Sequence, residues 1–251
     1  MAVKVFDFAS APHDRNPDIV RDIFKFRKKV FTDRENYKVP VWNGMEHDEL
    51  DIPSSIYLVR YGDAHWKISS HGLKKERAIL GMIRLNPTKY ENFEGSMIKN
   101  AFPDTVDGPV PHGEKVIEST RIGVAKEITG QDPESKALRR KVISELVLAT
   151  LEVSLMMGAT KQIGVMPAGL WKSVYESRDW PTTRLGSKSI SYDDVDPVRN
   201  SVTARSMEVS HEALERVRKN TGIHERVCRF VPTFEVTDVG TRKKNDFALV
   251  R

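Results

Sequence analysis

Apolar residues recur with helical spacing from residue 18 to residue 31, at Ile19, Val20, Ile23, Phe24, Phe26, Val30 and Phe31 behind Pro17. Pro at the first turn and a stripe of period 3.6 predict an amphipathic helix over 18–31. Pro40, Gly44 and Pro53 break the pattern over 37–53, which reads as a loop with four acidic residues between Glu46 and Asp51. Two short β-compatible runs, 55–60 and 78–85, then flank a charged stretch, Gly62 to Arg77, and predict a hairpin with a long tip.

Residues 95–113 are rich in Pro and Gly and read as irregular, and 115–124 reads as a strand interrupted by Glu118 and Arg121. Leu138, Val142, Ile143, Leu146, Val147, Leu151, Val153 and Leu155 predict a long helix from Pro133 to Met157, closed by Gly158. A strand over 161–166, a short helix over 170–178 and a further helix over 204–220 complete the series. The order predicts an α/β sandwich, a mixed central sheet flanked by helices, and one domain over 1–251.

Composition narrows the class. A 251-residue chain that is 39% hydrophobic buries a substantial core. Its longest apolar stretch, Leu146 to Met157, carries Thr150, Glu152 and Ser154 and falls short of the roughly 20 residues a bilayer span needs. The N-terminus lacks a secretory pattern and Cys228 is the single cysteine, so a cytoplasmic location is expected. A net charge of +5 spread along the chain makes nucleic acid no default partner and leaves room for an acidic protein or a phosphate-bearing donor.

Common catalytic signatures are missing: no Gly-x-Ser-x-Gly, no phosphate loop, no Gly-x-Gly-x-x-Gly and no paired cysteines. His13, His47, His65, His71, His112, His211 and His224 show no i, i+4 pair, so no metal site is expected. Charged residues inside apolar or aromatic segments stand out instead: Arg27, Asp48, Asp51, Arg84, Glu118 and Arg121. A buried unpaired charge costs several kcal/mol, so each needs a partner or a ligand. Singly, each fits a structural ion pair, Phe31 and Phe102 fit core aromatics, and Asp48 and Asp51 fit turn residues near Pro53.

Read in order the set is more specific: Arg27-x-x-x-Phe31 and then Tyr37, Glu46-x-Asp48-x-x-Asp51-x-Pro53, Gly81-x-x-Arg84-Leu85-x-Pro87-Thr88, Phe102-Pro103 and Glu118-Ser119-x-Arg121. This series, within residues 21–124, resembles the acyl-homoserine lactone (autoinducer) synthase family. The resemblance implies a fold like the GCN5-related N-acetyltransferases and an acyltransferase that joins an acyl thioester to S-adenosylmethionine, releasing lactone and methylthioadenosine. It assigns Arg27, Phe31, Tyr37, Asp48, Asp51, Arg84 and Phe102 to the S-adenosylmethionine side and Glu118, Ser119 and Arg121 to acyl transfer. S-adenosylmethionine is then a substrate, with no cofactor implied.

Apolar candidates for the acyl pocket are Leu146, Val147, Val165, Met166 and Trp171. The donor is an acyl-carrier protein or acyl-CoA; the resemblance favours the acidic carrier protein, with Arg139-Arg140-Lys141 and the region of Lys161 as basic candidates to meet it. The chain departs from the family pattern at Tyr37, where Trp is usual, in the insertion 62–77, and in the extension after about 222. Two other classes stay open: an acetyl-CoA-dependent N-acetyltransferase, although Arg121-Ile-Gly-Val-Ala misses the usual pyrophosphate turn, and a non-catalytic ligand-binding module.

Overall fold

The computed structural model describes residues 3–7, 17–35, 37–69, 72–89, 96–191 and 201–230. The strands are β1 (Val3–Asp7), β2 (Val41–Trp42), β3 (Met45–Glu46), β4 (Ile56–Ser69), β5 (Gly72–Thr88), β6 (Gly113–Val124), β7 (Lys161–Pro167), β8 (Thr183–Arg184), β9 (Ile190–Ser191), β10 (Ser201–Glu208) and β11 (Cys228–Phe230). The helices are α1 (Pro17–Arg27), which runs on into a π turn at Lys28–Thr32, α2 (Met97–Ala101), α3 (Pro133–Met156), α4 (Ala168–Leu170), which continues as a π turn over Trp171–Tyr175, and α5 (His211–Thr221).

One mixed sheet, ordered β11-β1-β4-β5-β6-β7-β10-β8 with β9 also on β10, carries the molecule, and β2 and β3 form a separate hairpin. The β11–β1 and β6–β7 pairs are parallel. Glycines mark where helices press on the sheet. A Cβ at Gly81 would come within 2.9 Å of Leu146 and Val142 of α3, and one at Gly123 within 2.8 Å of Val30 in the turn after α1. Helix α1 with its π turn therefore covers one face and α3 the other. Alternation along β5 then puts Met82 and Arg84 on the α1 face and Ile83 and Leu85 on the α3 face.

Two features of β6 set up the site. Between the pairs Arg84↔Thr120 and Met82↔Gly123, β6 spends an extra residue, and Arg121 sits there with φ +53°. Such a bulge re-aims a side chain without losing register on either side. In addition, β6 and β7 pair only from Val116↔Lys161 to Ser119↔Gly164, although β6 runs on to Val124 and β7 to Pro167. The two parallel strands part just beyond Ser119.

Most expected elements are present, and two readings need correction: 97–101, expected to be irregular, is helix α2, and the helix expected over 204–220 is a strand followed by a shorter helix. The long hairpin tip expected at 62–77 is a paired ribbon: β4 and β5 pair from Ala64↔Arg77 to Ser69↔Gly72. Residues 201–208 form strand β10, and helix α5 starts only at His211, where Ser210 accepts the Ala213 amide. Val202, Ala204 and Met207 are buried where β10 pairs with β7, and that pairing overrides the helical expectation. Beyond Gly222 the chain returns as β11 alongside β1, held by the Glu152 carboxylate, which accepts the Val227 and Cys228 amides at 3.1 and 3.0 Å. His13, His71 and the extension past residue 230 lie outside the described residues.

Candidate active site

Three arginines and three carboxylates meet on the α1 face of the sheet. Arg27, fully buried at the end of α1, donates from Nε and Nη2 to Glu46 at 2.5 and 2.7 Å and from Nη1 to Asp51 at 2.5 Å. Arg84 on β5 donates from Nη1 to Asp48 and Asp51 at 2.6 and 2.5 Å and from Nε to the Thr120 hydroxyl at 2.9 Å. Arg121, turned inward by the bulge, donates from Nη2 to Asp48 at 2.6 Å and Glu46 at 3.1 Å. A buried charge is tolerated only when its lone pairs and protons are met this fully.

The acidic loop is itself pre-formed. Asp51 accepts the Asp48 amide at 2.8 Å and Asp48 accepts the Leu50 amide at 3.0 Å, the short-range side-chain turn that Asp favours. Asn86 on β5 pins the loop by donating to the Leu50 carbonyl at 3.0 Å. Burial raises the proton affinity of Asp51, but Arg27 and Arg84 outweigh it and hold this carboxyl well below its usual range. Burial likewise works against charge on Arg27, and Glu46 and Asp51 more than offset it. Tyr57, which donates to Asp51, is pushed above its usual value by burial and by that neighbour.

Aromatic rings wall this group. Phe31 stacks on Tyr37 with centroids 6.1 Å apart and planes 14° apart, and the Arg121 guanidinium lies 5.4 Å from the Phe31 centroid. Phe24 faces the Arg27 guanidinium at 5.3 Å.

Glu118 is the odd member. It is fully buried on β6 on the face of Thr120, its Oε1 accepts the Ile98 amide of α2 at 3.0 Å, and the Ser96 hydroxyl also bonds to it. Its Oε2 has no hydrogen-bond partner among the described residues. Burial pushes this carboxyl up to about 7, against the pull of Ser96, the Ile98 amide and Arg84. A carboxylate that titrates near neutrality with one oxygen uncommitted is suited to take a proton.

The structure thus brings Arg27, Phe31, Tyr37, Asp48, Asp51, Arg84 and Arg121 into one group, with Glu118 beside Arg84 through their electrostatic contact. Phe102 stands at the C-terminal end of α2, the helix whose first turn holds Glu118. Ser119 points the other way, to the α3 face at the strand split. Among the apolar candidates, Leu146, Val147, Met166 and Trp171 share one core on the α3 face, while Val165 packs with Ile98 and Ile163 on the opposite face. Sequence reasoning did not assign Glu46, Tyr57, Thr120 or Ser96. Glu46 had a signal, its place in the Glu46-x-Asp48-x-x-Asp51 run, whereas Ser96 had none.

The profile of the autoinducer synthase family matches residues 13–217. The chain is 27% identical over 108 residues to an acyl-homoserine-lactone synthase of Aeromonas salmonicida, covering 43% of this chain and 44% of that protein. It is 33% identical over 105 residues to an acyl-homoserine-lactone synthase of Pectobacterium parmentieri, covering 42% and 41%. The matched segment spans less than half the length of these relatives. The fold is shared with BjaI, described as a CoA-dependent acyl-homoserine lactone synthase with SAM and isopentyl-CoA, at a TM-score of 0.69 and 17% identity over 92% of this chain and 93% of that one. Among the described residues no helix is long and apolar enough to cross a membrane.

Proposed function

The chain belongs to the autoinducer synthase family, and from that premise we propose that it makes an N-acyl-L-homoserine lactone in the cytoplasm from S-adenosylmethionine and an acyl thioester. The observation that carries the reading is Glu118, a carboxylate titrating near 7 with one oxygen uncommitted among the described residues, beside the ion-paired arginines and acids.

The α-amine of the substrate has an ordinary pKa of about 7.7–8.0 and must lose a proton before it attacks. Glu118 accepts that proton directly or through one water. The amine nitrogen then bonds to the thioester carbonyl carbon, the C–S bond breaks, and the thiolate leaves and is protonated. Asp48, Asp51 and Glu46 offer negative charge to the sulfonium and amine. Arg27, Arg84 and Arg121 offer positive charge to the carboxylate. Once the amide has formed, that carboxylate attacks its own γ-carbon, the C–S bond to sulfur breaks, and methylthioadenosine leaves with the electron pair. Holding the folded conformer supplies the effective concentration this second step needs.

Across the sheet, the gap that opens beyond Ser119↔Gly164 suits a narrow pantetheine arm. Arg140 and Lys141 are exposed early in helix α3, whereas Lys161 lies at the closed end where β6 and β7 are paired. At the very start of α3 stand the N-cap Asp132, which accepts the Ser135 amide at 2.8 Å, and Glu134. Two acidic groups there oppose a CoA pyrophosphate at the helix N-terminus and favour a carrier-protein donor met by the following basic turn.

The test is to incubate the purified chain with S-adenosylmethionine and matched acyl-carrier-protein and acyl-CoA thioesters and look for lactone and methylthioadenosine by mass spectrometry. Both products from the carrier-protein thioester are expected. Acylated amine without methylthioadenosine would point to a plain N-acyltransferase, and no turnover with intact S-adenosylmethionine binding would point to a binding module.

A further inference from the structure

Helix α2 is only five residues long, and the carboxylate it faces ties it to the sheet. Its Ile98 amide donates to Glu118 Oε1 at 3.0 Å, and the Met97 amide also bonds to that carboxylate. The next amide, that of Lys99, donates to the Ser96 hydroxyl oxygen at 3.0 Å, and the Ser96 carbonyl accepts the Asn100 amide at 3.0 Å. Ser96 thus caps the start of the helix, the position where a short side-chain acceptor is preferred.

Capping explains only half of this side chain. Ser96 is fully buried and its oxygen already accepts one bond, so its hydroxyl hydrogen needs an acceptor in the interior. That acceptor is the Glu118 carboxylate. Because Oε2 has no partner among the described residues, the hydroxyl and the Ile98 amide both fall on Oε1. An Asp cap would serve the Lys99 amide equally well but would set a second negative charge beside Glu118, whereas a hydroxyl accepts from the helix and donates to the acid through one atom. The rest of the surroundings fix Glu118 less. Strand β7 sets the apolar Ile163 opposite it, and β5 sets Asn86, whose amide is turned to the Leu50 carbonyl at 3.0 Å. Arg84 on β5 is the charged side chain that acts on it, and Lys99, the charged residue of α2, is exposed. Burial opposes the charge of Glu118 most, and among the groups that favour it the Ser96 hydroxyl comes first, ahead of the Ile98 amide and Arg84.

Resting on the synthase reading, we propose that Ser96 is a positioning residue for the acyl-transfer base: its hydroxyl holds Oε1 of Glu118 against α2, so that Oε2 is the oxygen left to take the proton of the substrate amine. In that step the N–H bond of the ammonium breaks, an O–H bond forms at Oε2 directly or through a water, and the electron pair stays on nitrogen. Oε1 keeps its bonds to Ser96 and Ile98 throughout. A hydrogen bond donated to a carboxylate favours the ionised form, so losing the hydroxyl makes the base harder to ionise.

The experiment follows methylthioadenosine release against pH for the wild-type chain and its variants. Ser96→Ala should move the rising limb of the kcat/KM profile about one pH unit to the alkaline side, the effect of one hydrogen bond to a charged group. The loss is then roughly fivefold at pH 7 and fades as pH rises. A helix cap with no other duty would lower the rate by the same factor at every pH. Ser96→Thr, which keeps a hydroxyl, should hold the limb near its wild-type place. Added to Glu118→Gln, Ser96→Ala should change the residual rate by less than about twofold, because its action runs through the acid. An unmoved limb, a loss equal at all pH values, or a full multiplicative loss on Glu118→Gln would each overturn the proposal. If Ser96→Ala does not fold, Ser96→Cys, similar in size and a weaker donor, should move the limb the same way. Turnover by the wild-type chain with a limb that the variants leave unmoved defeats the role of Ser96 alone, while no release with any thioester defeats the synthase reading and this proposal together.

Discussion

Oε1 of Glu118 accepts the amide hydrogen of Ile98 at 3.0 Å while its other oxygen is unpaired among the described residues. The α2 amide holds the carboxylate in place and leaves it half free for chemistry. With the carboxyl titrating at about 7, kcat/KM should climb as pH rises through neutrality, because only the ionised form accepts the amine's proton. Glu118→Gln should keep the Ile98 bond, lose that pH limb and fall by roughly 10²–10⁴-fold. A variant that keeps wild-type rate and the same limb would remove Glu118 from the reaction.

The same residue makes a prediction about stability with the opposite sign. Its folded value of about 7 exceeds the ordinary 4.5, so the unfolded chain ionises first as pH rises, and the folded state loses stability between about 4.5 and 7. The cost is about 3 kcal/mol above pH 7. Glu118→Gln should therefore raise the urea midpoint at pH 8 and make little difference at pH 4. A midpoint lowered at pH 8 would show that the carboxylate is better solvated than its burial implies.

Asp51 behaves in the reverse way. Arg27 and Arg84 depress its carboxyl below the ordinary 3.8, so its contribution is present above that pH and is lost as pH falls through the folded value. Asp51→Asn leaves two buried guanidinium groups short of a counter-charge and should cost about 3–5 kcal/mol at pH 7. It should also flatten the acid side of the stability profile below about pH 4 and weaken S-adenosylmethionine binding in calorimetry. An unchanged acid limb would dissociate Asp51 from it.

How much of this was legible in the chain differs by kind of residue. The charges could be found because Arg84 and Glu118 interrupt apolar strands, and because order along the sequence tied them to Asp48 and Asp51. Their partner Glu46 heads the same acidic run, and its place in the Glu46-x-Asp48-x-x-Asp51 motif gave it no role of its own. Ser119 and Glu118 are adjacent, so sequence grouped them, yet alternation along β6 sends them to opposite faces. Most of strand β10 falls within the span 204–220 expected to be helical, and its pairing with the edge of β7, about 40 residues earlier in the chain, decides otherwise. Gln162 inside Lys161–Met166 gave no sign that its amide would be buried without a partner.

Gly123 marks where the sheet and the aromatic wall touch. A methyl group there would stand 2.8 Å from Val30 Cγ1 and 3.2 Å from Phe31 Cζ, so Val30 must shift and Phe31 must give by a few tenths of an ångström, and with it the face opposite Arg121 and Tyr37. Gly123→Ala should raise the KM for S-adenosylmethionine several-fold and change the KM for the acyl donor less, since the donor is assigned to the other face. Equal effects on both would argue that the variant disturbs the whole sheet.

Arg121 combines an ion-pair role with an unfavourable backbone, since φ +53° is a conformation that L side chains with a Cβ adopt at a cost of about 1–2 kcal/mol. The two contributions can be separated. Arg121→Ala removes the bonds to Asp48 and Glu46 and keeps the strain, while Arg121→Gly removes the same bonds and relieves it. Both should lose S-adenosylmethionine affinity to a similar degree. In thermal unfolding the Gly variant should be the more stable by about 1 kcal/mol, the strain relief being partly offset by the extra freedom Gly brings to the unfolded chain. Equal unfolding temperatures would mean that position 121 is not held in the left-handed region, and the bulge would then not be what turns this arginine toward Asp48.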